Sequence, residues 1–180
     1  MSFPEYDLQL TKCRDVFTKK THDYGTSWRV MRISSLIDQI FIKAQRIRSI
    51  EEKGSQKIGD SIESEYLGII NYCILTLVQM DLGETLNDEI DHGKLFAMYD
   101  SKINEAKALM EKKNHDYGEA WREMWISSLT DLILSKLLRI RQIISNKGKT
   151  LMSEGIDANL YDMINYSIFA MIKLSQEKNK

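Results

Sequence analysis

The 180-residue sequence predicts an all-α protein: a tandem duplication of a three-helix unit, packed as a pseudo-twofold helical bundle. Three observations carry this expectation. The stretch KKTHDYG at 19–25 returns as KKNHDYG at 112–118, and shifting the chain by 93 places superposes residues 18–50 on 111–143 with twenty of the 33 positions identical. The single proline, Pro4, leaves every later segment free of that helix breaker. No segment shows the period-two alternation between turn signals that marks a strand.

The elements follow in order. Leu10, Cys13, Val16 and Phe17 fall at helical spacing in a first helix, as do Ile103, Ala106, Leu109 and Met110 in its repeat. A second helix is expected from about 34 to 53, and again from about 127 to 147. Each begins at a Ser-Ser pair able to cap orphan N–H groups and ends at or near a Lys-Gly. A third helix starts near Asp60 or Ser153 and runs to about Met80 or Gln176. One inserted residue shifts the offset to 94 there, pairing Asp60 with Glu154, Glu63 with Asp157 and Asn71-Tyr72 with Asn165-Tyr166. Upstream, Tyr6-Asp7 matches Tyr99-Asp100. The polar, glycine-bearing stretch 81–94 holds the connection, which gives a first repeat over 1–85, a linker over 86–94 and a second repeat over 95–180. The period is far longer than a solenoid unit. Three helices bury too little apolar surface alone, so the halves are expected to share one core about a pseudo-twofold axis.

Composition bounds the function. With 43% apolar and 28% charged residues the chain can bury a core. A formal net charge of −1 argues against direct DNA binding, which draws on a basic excess, yet leaves room for a small anionic ligand. Cys13 and Cys73, with no C-x-x-C, read as reduced core thiols rather than a zinc or disulfide framework. The beginning MSFPEYDLQL lacks the basic and apolar regions of a signal peptide, and no run approaches the roughly 18 apolar residues of a membrane span. A soluble, cytoplasmic protein is expected, and a second pairing of two such chains into a homodimer stays open.

Apolar identity between repeats follows from packing alone, whereas identical polar residues call for a reason. Three sets stand out. The first is His22, Asp23 and Tyr24 with Gly25, followed by Trp28 and Arg29, repeated as His115, Asp116, Tyr117, Gly118, Trp121 and Arg122. Here glycine and aspartate suit a turn, and the alternative is a pocket wall with aromatics to stack a base. The second is D-x4-K-x2-R: Asp38, Lys43 and Arg46, then Asp131, Lys136 and Arg139. A solvated ion-pair face competes with a phosphate-facing cation pair beside a metal-holding carboxylate. The third is EGIDANLYDMINY, residues 154–166. With Glu154 at zero, Asp157 lies at about 300°, Tyr161 at about 340°, Asn165 at about 20° and Asp162 at about 80°. Such a stripe of oxygens suits Mg²⁺ when phosphates and water complete its shell. A capped acidic first turn explains Glu154 and Asp157 equally well, and Asp162 and Asn165 less well. The first copy has Gly68 where Asp162 stands, so either the second half carries the better site or both halves combine into one.

KKNHDYGEAW, the SLTDLILSKLLRI helix and the E-x2-D-x4-D-x2-N-Y helix together resemble the nucleotide modification associated domain 1 family, and two copies of the pattern cover nearly the whole chain. The resemblance implies a role in nucleotide metabolism. The acidic helix is similar to the E-x-x-D helix of MazG-like all-α nucleoside triphosphate pyrophosphatases, which use carboxylate-bound Mg²⁺ to release a nucleoside monophosphate and pyrophosphate. This chain departs from them in lacking an E-E-x-x-E motif on the preceding helix, so a full metal set would draw on Asp116 or Asp131. The resulting expectation is a Mg²⁺-dependent nucleotide pyrophosphohydrolase. In it Glu154, Asp157 and Asp162 are catalytic metal ligands with Asp131, and Lys136 and Arg139 hold phosphate. His115, Asp116, Tyr117, Trp121 and Asn165 contact a nucleotide or modified nucleotide, with His22, Asp23, Lys43, Arg46 and Asn71 in the first copy. The alternative is a non-catalytic nucleotide-binding, regulatory or interaction module of a nucleotide-modification system.

Overall fold

A computed structural model describes residues 3–87 and 89–180. Met1, Ser2 and Asp88, which the expected first repeat and linker include, lie outside the described residues. The described chain is all-helical. The first repeat contains α1 (Pro4–Tyr24), a 3₁₀ turn (Ser27–Val30), α2 (Ile33–Lys53) and α3 (Ile62–Leu82); the second contains α4 (His92–Tyr117), a 3₁₀ turn (Ala120–Glu123), α5 (Ile126–Ser145) and α6 (Ile156–Lys178). The order helix, turn, helix, helix thus occurs twice, and α4 takes in residues 92–94 of the expected linker.

The Ser-Ser pairs do not cap. Both 3₁₀ turns run into two extended residues, Met31-Arg32 or Met124-Trp125, and the helix starts immediately after them, so Ser34-Ser35 and Ser127-Ser128 already sit in the first turn. The Ile33 N–H is met instead by Glu84 Oε1 at 3.1 Å. Side-chain caps appear elsewhere: Ser61 Oγ accepts from the Ser64 N–H at 3.1 Å and Asp91 from the Lys94 N–H at 2.9 Å. Both satisfy an orphan N–H of the kind every helix start presents.

Alpha-helices 3 and 6 form the centre and pack on each other, as α2 does on α5, so each helix of these pairs faces its own repeat counterpart. Within the repeats α2 covers α3 and α5 covers α6, while α1 and α4 each touch both central helices. One apolar cluster runs through both repeats, from Tyr6 and Cys13 to Ile168 and Met171.

Polar contacts between the halves repeat with the roles exchanged. The Tyr6 hydroxyl donates to Asn165 Oδ1 at 2.6 Å, and the Tyr99 hydroxyl to Asn71 Oδ1 at 2.7 Å. Asn71 Nδ2 then donates to the Cys13 carbonyl and Asn165 Nδ2 to the Ala106 carbonyl, each at 3.1 Å. Arg14 bonds Asp100 at 2.7 and 3.0 Å, and Lys107 bonds Asp7 at 2.7 Å. Arg48 meets Asp131 at 3.4 Å and Arg141 meets Asp38 at 2.9 Å. Residue i of one repeat touching j of the other, and j touching i, is the signature of a twofold contact. Within a single chain it makes the molecule a fused pseudo-dimer.

Candidate functional site

Each repeat carries a cavity in the angle between its first helix, its 3₁₀ turn and its third helix. The turn is set by a glycine: Gly25 (φ 66°) ends α1 and Gly118 (φ 62°) ends α4. Both lie in the positive-φ region that side chains avoid, which frees the chain to double back and lay Trp28 or Trp121 beside the third helix. The histidine and aspartate of the repeated motif stand in solvent rather than facing inward. His22 pairs loosely with Asp23 at 3.6 Å and His115 with Asp116 at 3.0 Å, with every side chain at least 66% exposed. Their position in the last helical turn accounts for this.

The first-repeat cavity, about 310 Å³, is bounded by Tyr24, Trp28 and Tyr72, with Lys20, Lys43 and Asn71 in its wall. Lys43 lies across Gly68, its Cε only 2.8 Å from where a β-carbon would stand, and its ammonium rests 5.7 Å above the Tyr72 ring. Among the described residues its single ionic contact is a loose one, to Glu65 at 3.7 Å, and Glu65 is already bonded to Arg46 at 2.9 Å. Lys20 forms no ion pair among the described residues. Arg46, expected to hold phosphate, instead ties α2 to the loop before α3 through the Ile58 and Asp60 carbonyls.

The second-repeat cavity, about 330 Å³, has the same walls, formed by Tyr117, Trp121 and Tyr166 with Lys113, Asp162 and Asn165. Its interior differs. Asp162 is only 5% exposed and sits between Lys113 Nζ at 2.6 Å and Lys136 Nζ at 3.0 Å. Burial alone would lower the Lys113 pKa, yet the hydrogen bond and charge of Asp162 hold it above the ordinary lysine value. Trp121 is stacked on Phe169, with centroids 4.4 Å apart and planes 3° from parallel, and the Arg122 guanidinium covers it at 4.4 Å. The indole N–H groups of Trp28 and Trp121 are buried without a partner.

The residues nominated for Mg²⁺ do not form its shell. Asp162 is committed to two lysines, and Asp131 faces Arg48 across the repeat interface. Asp157 and Glu154 are exposed, with Glu154 beside Lys136, Arg139 and Asn159 at a separate cavity of about 660 Å³. Among the described residues no three His, Cys, Asp or Glu side chains gather to hold a metal ion. Two further residues nominated for ligand contact, Asn71 and Asn165, line the cavities but bond both ends of their amides to the protein. The expectation that the second half carries the better site meets a physical obstacle: its extra carboxylate is paired with both Lys113 and Lys136.

Sequence reasoning passed over Lys20, Lys113, Tyr72, Tyr166 and Phe169. The lysines were visible as the repeated Lys-Lys before each histidine, one turn from the tyrosine.

Among the described residues no helix is long and apolar enough to cross a membrane. Neither a curated protein nor a solved structure matches the chain. The model of one family, nucleotide modification associated domain 1, matches twice, over residues 20–80 and 113–174, one match on each repeat and together more than half of the sequence. The chain belongs to the nucleotide modification associated domain 1 family.

Proposed function

We propose that the protein is a nucleotide-binding module of a nucleotide-modification system, taking a mononucleotide in the first-repeat cavity without hydrolysing it. The family's association with nucleotide modification supports the ligand class. The observation that carries the reading is the joining of three aromatic side chains, Tyr24, Trp28 and Tyr72, with the lightly engaged ammonium groups of Lys20 and Lys43 around one cavity. Aromatic faces stack bases and ammonium groups hold phosphate. A volume of about 310 Å³ sits at the small end of ligand pockets, which span about 300–1,000 Å³, and suits one base, one sugar and one phosphate. The pyrophosphohydrolase reading needs carboxylates to converge on a cation, and Asp162 and Asp131 are both held by basic side chains.

Thermal unfolding with deoxynucleoside mono- and triphosphates, run beside an assay for released pyrophosphate with Mg²⁺, separates the readings. Expected is stabilisation by nucleotide, amounting to about 2.7 kcal/mol at a hundredfold excess over Kd, with no pyrophosphate released. Pyrophosphate release that vanishes in Asp157→Ala would reinstate the enzyme. Neither effect, across canonical and modified nucleotides, would leave a helical interaction protein.

A further inference from the structure

The two cavities are built from equivalent helices and turns, and two of the positions where their linings differ carry the asymmetry. Gly68 in the first repeat is Asp162 in the second, and Leu75 is Phe169. Each difference puts into the second cavity a group of the kind the first one is left to find. The Asp162 carboxylate lies against both Lys113 and Lys136; of their counterparts, Lys20 forms no ion pair among the described residues and Lys43 only the 3.7 Å contact to Glu65. The Phe169 ring lies flat on Trp121, whereas Leu75 beside Trp28 has no ring to offer.

We infer that the second repeat is a self-occupied site, with Asp162 standing where a ligand's anionic group would sit and Phe169 where its planar ring would sit. Gly68 and Asp162 therefore decide which repeat takes ligand, and the chain binds one phosphorylated aromatic molecule, in the first repeat only. This rests on the mononucleotide reading for the identity of the ligand, but the asymmetry itself concerns only anions and rings. Charge decides the matter physically. The Asp162 carboxylate already lies between the two ammonium groups an incoming phosphate would need, and displacing it would strand a buried anion. In the first repeat Lys20 has no ion pair among the described residues and Lys43 meets Glu65 only at 3.7 Å, so an incoming anion displaces no buried carboxylate from between them.

Titration calorimetry with inorganic phosphate tests the inference on wild type, Gly68→Asp and Asp162→Gly, and with dAMP and dTMP on wild type, Gly68→Asp and the double variant Asp162→Gly/Phe169→Leu, since Phe169 alone still fills the ring position. Expected stoichiometries are one for wild type, none for Gly68→Asp and two for Asp162→Gly with phosphate and for the double variant with nucleotide. Asp162→Ala, which keeps a better helix former, is also expected to bind two phosphates and guards against a folding failure of the glycine variant. No gain of a site in either Asp162 variant, or retained binding in Gly68→Asp, overturns the inference. The outcomes distinguish the two claims: a site gained for phosphate by the Asp162 variants, with no binding of either nucleotide by any protein, would sink the mononucleotide reading and leave the self-occupied site standing.

Discussion

Asn71 and Asn165 show how a repeated polar residue can be structural. Each amide accepts from a tyrosine hydroxyl of the other repeat and donates to a carbonyl of its own, all buried. Replacing either by alanine orphans a phenol and a carbonyl together, and a loss of about 1–3 kcal/mol is expected in urea unfolding. Both tyrosines are correspondingly difficult to ionise: burial, with nearby negative charge, pushes their pKa values well up. The cysteines follow the same physics. Burial pushes the Cys13 thiol up to about 12 and raises Cys73 as well, so iodoacetamide at pH 8 is expected to label neither until the protein unfolds. At this scale the sequence was legible in kind rather than in role. It marked Asn71, Asn165, Asp38 and Asp131 as non-accidental, but a repeated residue in a pseudo-dimer can be repeated because it crosses the axis. Nothing in a linear pattern separates that cause from ligand binding.

Helix boundaries were readable within a few residues because periodicity and glycine stops are local signals. The misplaced serine caps failed for a different reason: extended residues between a 3₁₀ turn and a helix have no marker in the composition. Gly25 and Gly118 are the local devices that set each cavity. Alanine at either must adopt positive φ, and a loss of about 1–2 kcal/mol is expected, with the first-repeat variant also weakening ligand binding. Helix 6 is tied back to helix 3 by Lys178 at 2.9 Å and to the same Glu63 carboxylate comes Lys12 at 3.4 Å. The Lys178 hydrogen bond, against partial desolvation, holds Glu63 below the usual carboxylate value, so its contribution is present above about pH 4.5 and is lost as pH falls through the folded pKa. Glu63→Gln is expected to lower stability at pH 7 by at most about 1 kcal/mol and to flatten the acid limb of a urea-stability profile below pH 5.

On the scale of the whole molecule, the fused pseudo-dimer was the most legible feature, since a repeat of this length and identity admits few other architectures. Its functional consequence was not legible, because the difference between lightly engaged lysines and lysines bridged by a buried carboxylate depends on which side chains meet across three helices. A carboxylate added at position 162 reads, in sequence, as an enriched acidic site; in three dimensions it lies between Lys113 and Lys136. The reciprocal contacts also predict that residues 92–180 expressed alone will fold only by pairing with a second copy. Light scattering should give twice the fragment's mass, and a folded monomer would contradict the shared core. The central claim concerns the first cavity, and calorimetric titration of wild type, Lys43→Ala and Lys136→Ala with deoxynucleoside monophosphates tests it most directly. One site per chain is predicted, lost in Lys43→Ala and kept in Lys136→Ala; no binding by the wild type, or loss in Lys136→Ala with Lys43→Ala unaffected, would contradict it.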